Sequence, residues 1–202
     1  KVGIGTTNSG HGGQIELAAG TSTAANSLGG AVWITAGDGT DKGGLVSISG
    51  GSTTAGDGGF VRIAGGSSNA GVGGSVVILG GASTLGEAGH VSIGSGDSGA
   101  GFDGGDLILE AGSTTDTRYA GGHVSLLSGH GTVSSSGHMV IASADASSVG
   151  TSGWIAISSG TTASGESGDI SISTGTSVSA SSGSIVLETG EASGGSAGFV
   201  VV

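Results

Sequence analysis

Gly58–Val72 reads GGFVRIAGGSSNAGV, and the whole chain is built from variations on it. Two glycines open the unit, Val61 and Ile63 form an alternating apolar pair, Gly65-Gly66 closes the pair, and a short polar run leads to Gly71 before the pattern restarts. The second glycine of each opening pair falls at positions 13, 30, 44, 59, 74, 89, 105, 122, 137, 153, 168, 183 and 198. Successive spacings run from 14 to 17 residues, and most are 15, with the slack taken up in the polar half. A period of this kind argues for repeat architecture, in which each unit buries its apolar face against its neighbours.

Two positions after each reference glycine stands an aliphatic residue such as Val61, Val76, Val91 or Ile170, or Met139. Two further on stands its companion, such as Ile63, Ile78, Ile93 or Ile172, and none of the thirteen registers fails. Val2 and Ile4 read as the end of one more copy. Period-two alternation of β-branched residues between glycines is a strand signal, with no helical pattern competing. Glycine suits the corners because they need positive φ or close backbone approach. The sequence therefore predicts an all-β fold, a parallel β-solenoid (β-helix) with ~15-residue coils, two short strands per coil and about 13 coils. Residues 1–202 would form one continuous array, a segment of a longer chain, with the aliphatic pairs buried in a single thin layer. At ~4.8 Å between strands, such a rod would be on the order of 60 Å long.

Composition narrows the function classes. With 49 glycines, no proline, no cysteine and 3% aromatic residues, the chain lacks the large side chains of an ordinary core. Collagen is excluded, because it needs glycine at every third position and abundant proline. Four basic residues stand against fifteen acidic ones, for a formal net charge of -11. Lys1, Lys42, Arg62 and Arg118 lie far apart, so there is no basic patch for nucleic acid. The longest apolar runs, such as Val76–Leu79, are far short of the ~20 residues of a membrane span.

Side chains flanking the first aliphatic position would point away from the core. The flanking columns contain Trp33, Phe60, Val77, Ile108, Val140 and Trp154, which together predict an apolar interaction face for self-association or for another solenoid or structural protein. The same columns place His90, Asp106, His123 and His138 on successive coils. Two chemistries fit that ladder: a weak transition-metal site, or a surface column in which Asp106 offsets its histidine neighbours. The second is the reading adopted, so no metal or other cofactor is expected. Asp57, Glu87 and Asp103 form an acidic corner column without the GGxGxD loops of calcium-loaded rolls, and read as solvated charge.

Motifs that suggest catalysis lack their structural context. GxGxxG occurs at Gly94–Gly99 and at Gly99–Gly104, but neither opens a helix after a strand. GxSxG at Gly194–Gly198 lacks the strand–turn–helix elbow that would expose Ser196 as a nucleophile. No enzyme is expected. None of Asn8, Asn26 and Asn69 begins an N-glycosylation sequon, while the many Ser and Thr residues are open to O-linked glycans.

The phrases GGSVVILGGAS, GGHVSLLSG and SGDISISTGTS resemble the long Gly/Ser repeats of secreted and cell-surface proteins of microalgae, in the diatom and brown-alga lineage. That resemblance implies an extracellular or cell-surface, structural component of a filament, flagellar hair, wall or surface layer, assembling through the apolar stripe and open solenoid ends. It carries no functional residues with it. The alternative expectation is a binding module, either an ice-binding solenoid or a carbohydrate adhesin. Thr positions drift between coils, against a flat ice-binding array, and Trp33 and Trp154 stand singly as stacking platforms.

Overall fold

The structure is a computed structural model, and it describes residues 3–5, 8, 10–99, 101–147 and 149–202. Val2 and Lys1 of the sequence reading lie outside the described residues. Among the described residues there is no helix and no β-strand, which overturns the parallel β-solenoid with its two strands per coil. The aliphatic pairs expected to form the core are exposed, and no described residue is buried. The accessible surface of 19791 Å² is more than twice the roughly 8,200 Å² of a compact monomer of this mass.

The reason is the thinness of the layer. Burying two aliphatic side chains does not offset the entropy of ordering about fifteen backbones, and glycine loses more freedom on ordering than any other residue. The polar half of each unit is mostly Ser, Thr, Ala and Gly, and its scattered larger residues, such as Leu28, Val72, Leu85 and Phe102, are themselves exposed, so it supplies no opposing apolar wall.

What the repeat does specify is a series of closed loops. The reference glycine donates its amide to the carbonyl of a glycine upstream in eight units: Gly30 to Gly20, Gly44 to Gly37, Gly59 to Gly51, Gly74 to Gly66, Gly89 to Gly81, Gly105 to Gly96, Gly122 to Gly112 and Gly137 to Gly129, all at 2.8–3.0 Å. From each reference glycine to the next acceptor the distance in sequence is always seven residues, as from Gly59 to Gly66 or Gly105 to Gly112. From acceptor to donor it varies between 7 and 10. The apolar segment is thus constant and the loop absorbs every change of period.

Close approach, rather than positive φ, requires glycine at these necks. A Cβ on Gly59 or Gly74 would stand 2.8 Å from the amide nitrogen of Gly51 or Gly66. One on Gly50, Gly65 or Gly80 would collide with the carbonyl of Gly59, Gly74 or Gly89. Positive φ is confined to Gly10, Gly101, Gly150 and Asn26 among the described residues.

Two units divide the chain, Lys1–Leu107 and Ile108–Val202. In the first, the residue before the acceptor glycine is Gly, Ala or Ser, and six necks are hydrogen-bonded. In the second, Gly122 and Gly137 make the bond, with Ala111 and Ser128 beside them. At Gly153, Gly168, Gly183 and Gly198 a Cβ would instead meet Ser143, Ser159, Thr174 and Thr189 at 3.5–3.8 Å, and no such bond is made there among the described residues. Both threonines fall in the open set, whereas serine stands in both sets, at Ser143 and Ser159 in open necks and at Ser95 and Ser128 in bonded ones.

Amide exchange tests this arrangement. Protection at Gly59, Gly74 and Gly89 is expected to exceed that at Val61, Val76 and Val91, and Gly74→Ala should abolish it at its own neck while leaving the other two intact. Ile93 is 61% exposed, so Ile93→Asp should leave the far-UV circular dichroism of the monomer unchanged. Loss of protection at all three necks in Gly74→Ala would show that the loops are not independent.

Candidate functional site

Several of the loops carry a second device, a side-chain hydroxyl that caps the bend. The Thr53 hydroxyl accepts hydrogen bonds from the amides of Ala55 (3.3 Å) and Gly56 (3.2 Å). Ser68 accepts from Gly71 at 2.8 Å, Ser83 from Gly86 at 2.9 Å, and Ser177 from Ala180 at 3.2 Å. These are hydroxyl-capped turns, in which the side chain satisfies an amide that the bend leaves without a backbone partner. Reading the polar half as mere small-residue packing overlooks them, although the signal is present as a Ser or Thr three residues before a glycine in Thr53–Gly56, Ser68–Gly71 and Ser83–Gly86.

The most connected cluster lies in the Gly112–Gly122 loop. Thr114 accepts from the Asp116 amide at 3.2 Å, and Asp116 Oδ1 accepts from the Arg118 amide at 2.9 Å. The Arg118 guanidinium then grips the same carboxylate with two bonds, Nε to Oδ1 at 3.1 Å and Nη2 to Oδ2 at 2.9 Å, and lies over the Tyr119 ring, 5.5 Å from its centroid. This is a bidentate pair of the stronger kind, set in solvent where screening keeps its contribution small. Its sequence signal is Asp-x-Arg-Tyr within one of the longest repeats, which the regular pattern of the other units conceals.

The proposed interaction-face residues are all exposed, at 73% for Val77 and 87% for Trp33 and Trp154, with Phe60, Ile108 and Val140 between. Within the apolar segments the first aliphatic position is the least exposed, near 50% at Val61, Val76, Val91 and Met139. The alternation read from sequence therefore survives as a graded exposure. His90 and Asp106 fall in the first unit and His123 and His138 in the second. In neither unit do three or more His, Asp or Glu side chains gather as a metal site among the described residues, the acidic residues Asp57, Glu87 and Asp103 included. No described helix is long and apolar enough to cross a membrane.

No family model matches the chain, and neither the curated proteins nor the solved structures give a match.

The Arg118 guanidinium holds the Asp116 carboxyl below its ordinary value of 3.8, and the Arg118 amide adds to the effect. A depressed carboxyl means that the clasp is present above 3.8 and opens as pH falls through the lowered value. Carbon-detected NMR titration should place the Asp116 midpoint below 3.8, and Arg118→Gln should raise it. A midpoint unmoved by that substitution would rule the clasp out.

Proposed function

We propose that this chain is a structural, non-enzymatic building block of extracellular material, such as a filament, flagellar hair, wall or surface layer. One observation carries the reading: every apolar pair of the repeat is exposed, with no buried residue among those described. Aliphatic surface at thirteen regular positions has no cover within the chain, and burying it against further copies removes it from water at ~25 cal/mol per Å². Assembly through open solenoid ends falls with the solenoid, so the exposed segments themselves are the contact surface. The extracellular setting rests on the resemblance of GGSVVILGGAS, GGHVSLLSG and SGDISISTGTS to secreted repeats. Exposed Ser and Thr hydroxyls outside the capped turns leave room for O-linked glycans.

Charge sets the conditions for association. At a net charge of -11, copies repel one another, and salt screens that repulsion over about 10 Å at 0.1 M. Sedimentation velocity is expected to show association that strengthens with ionic strength. Polar substitution of Val77, Ile108 and Val140 together should weaken it, while amide exchange at the glycine necks stays unchanged. A chain that remains monomeric at every salt concentration would refute the structural reading and favour a binding module.

A further inference from the structure

The apolar segments are not equivalent. Among the flanking positions, Leu107–Leu109 stands between Asp106 and Glu110, Ile185–Leu187 precedes Glu188, and Phe60–Ile63 contains Arg62. In-register contact between two copies would set each of these charges against itself, which is destabilising across strands. Ser75–Leu79 differs on every count. Val76, Val77, Ile78 and Leu79 are four consecutive exposed aliphatic residues, at 49%, 73%, 62% and 83%. Ile63–Gly86 around them is the longest stretch of the sequence without a charged residue or histidine.

The backbone is equally unoccupied. Gly74 gives its amide to Gly66 and Gly81 lends its carbonyl to Gly89, and between these necks no backbone hydrogen bond is made among the described residues. A short, uncharged, β-branched segment without proline, with free amides and carbonyls, is the composition that pairs with identical copies of itself. The necks on either side present it as a stretch of fixed length, so that two copies meet in the same register.

We propose that Ser75–Leu79 is the segment through which one copy of this chain first pairs with another, parallel and in register, so that assembly is nucleated there and the charged segments join afterwards. This rests on the structural, self-associating reading above and names the contact that begins it.

The test uses the full chain. Val77→Lys and, as a control with the same charge change in a segment bordered by Glu188, Val186→Lys are compared with the parent for the lag in light scattering after salt addition. Both lower the net negative charge, so general repulsion cannot account for a slower variant. Val77→Lys is expected to lengthen the lag or raise the threshold concentration by about tenfold, the loss that follows when one buried aliphatic contact is forfeited, and Val186→Lys by much less. Phe199–Val202 is the nearest rival as an exposed apolar run, so Val200→Lys is measured alongside and should also have the smaller effect.

Register is read separately. The chain has no cysteine, so Ser75→Cys and Ser179→Cys each take a single nitroxide label. In the assembled material the label at position 75 should give an exchange-narrowed spectrum, as labels ~4.8 Å apart do, and the loop label at 179 should not. Equal delays in all three lysine variants, or assembly without spin exchange at position 75, would overturn the proposal while leaving self-assembly standing. A parent chain that never assembles would overturn both.

Discussion

At eight necks two backbones come close enough to share a hydrogen bond, with glycine as donor and acceptor and Gly, Ala or Ser just before the acceptor. The rest of the local structure depends on it. A Cβ on Gly59, Gly50, Gly74 or Gly65 would collide with the backbone across the neck. Among the described residues the hydrogen bond is missing where the upstream neighbour is Thr174 or Thr189, and also at Ser143 and Ser159, although it is made beside Ser95 and Ser128. Glycine at these positions is therefore a packing requirement, and the hydroxyl-capped bends of Thr53, Ser68 and Ser83 complete their own three loops from inside.

The necks fix where each apolar segment begins and ends, but they do not cover it. A side chain such as Ile78 needs an opposing apolar surface, and in the loop next to it Gly81, Ala82, Ser83 and Thr84 are small or polar while Leu85 is fully exposed. In the self-associating reading proposed above, a second copy would bring both the missing apolar wall and partners for idle amides and carbonyls, neither of which the polar loops supply.

Part of this was legible in sequence. The register of reference glycines coincides with the donors of the neck bonds, from Gly30 through Gly137, and the slack assigned to the polar half is where the loop lengths vary. The burial expected for Val61 and Ile63 in one layer is not found: both are exposed, Val61 the less so. The error lay in going from periodicity to stacking. Recurrence of Val76 and Ile78 shows that each unit repeats a local arrangement, and it does not show that consecutive units pack upon one another. That further step needs enough buried area per unit, which two aliphatic residues do not give. The cluster at Asp116, Arg118 and Tyr119 was missed because it belongs to one loop, and a search by period discards what occurs once. For the ladder of His90, Asp106, His123 and His138, spacing along the chain said nothing about spacing in space once the coils were removed.

The constant seven-residue interval between a reference glycine and the next acceptor, set beside loops of 7 to 10 residues, has a consequence for how such a chain changes over generations. An insertion or deletion in a loop is absorbed behind its own neck and leaves the neighbouring segments in phase. A whole unit gained or lost through slippage during DNA replication likewise joins the series without a mismatch at either border. In the proposed assembly, length could therefore change while the apolar segments keep their spacing, so that chains of unequal size would remain compatible in one material.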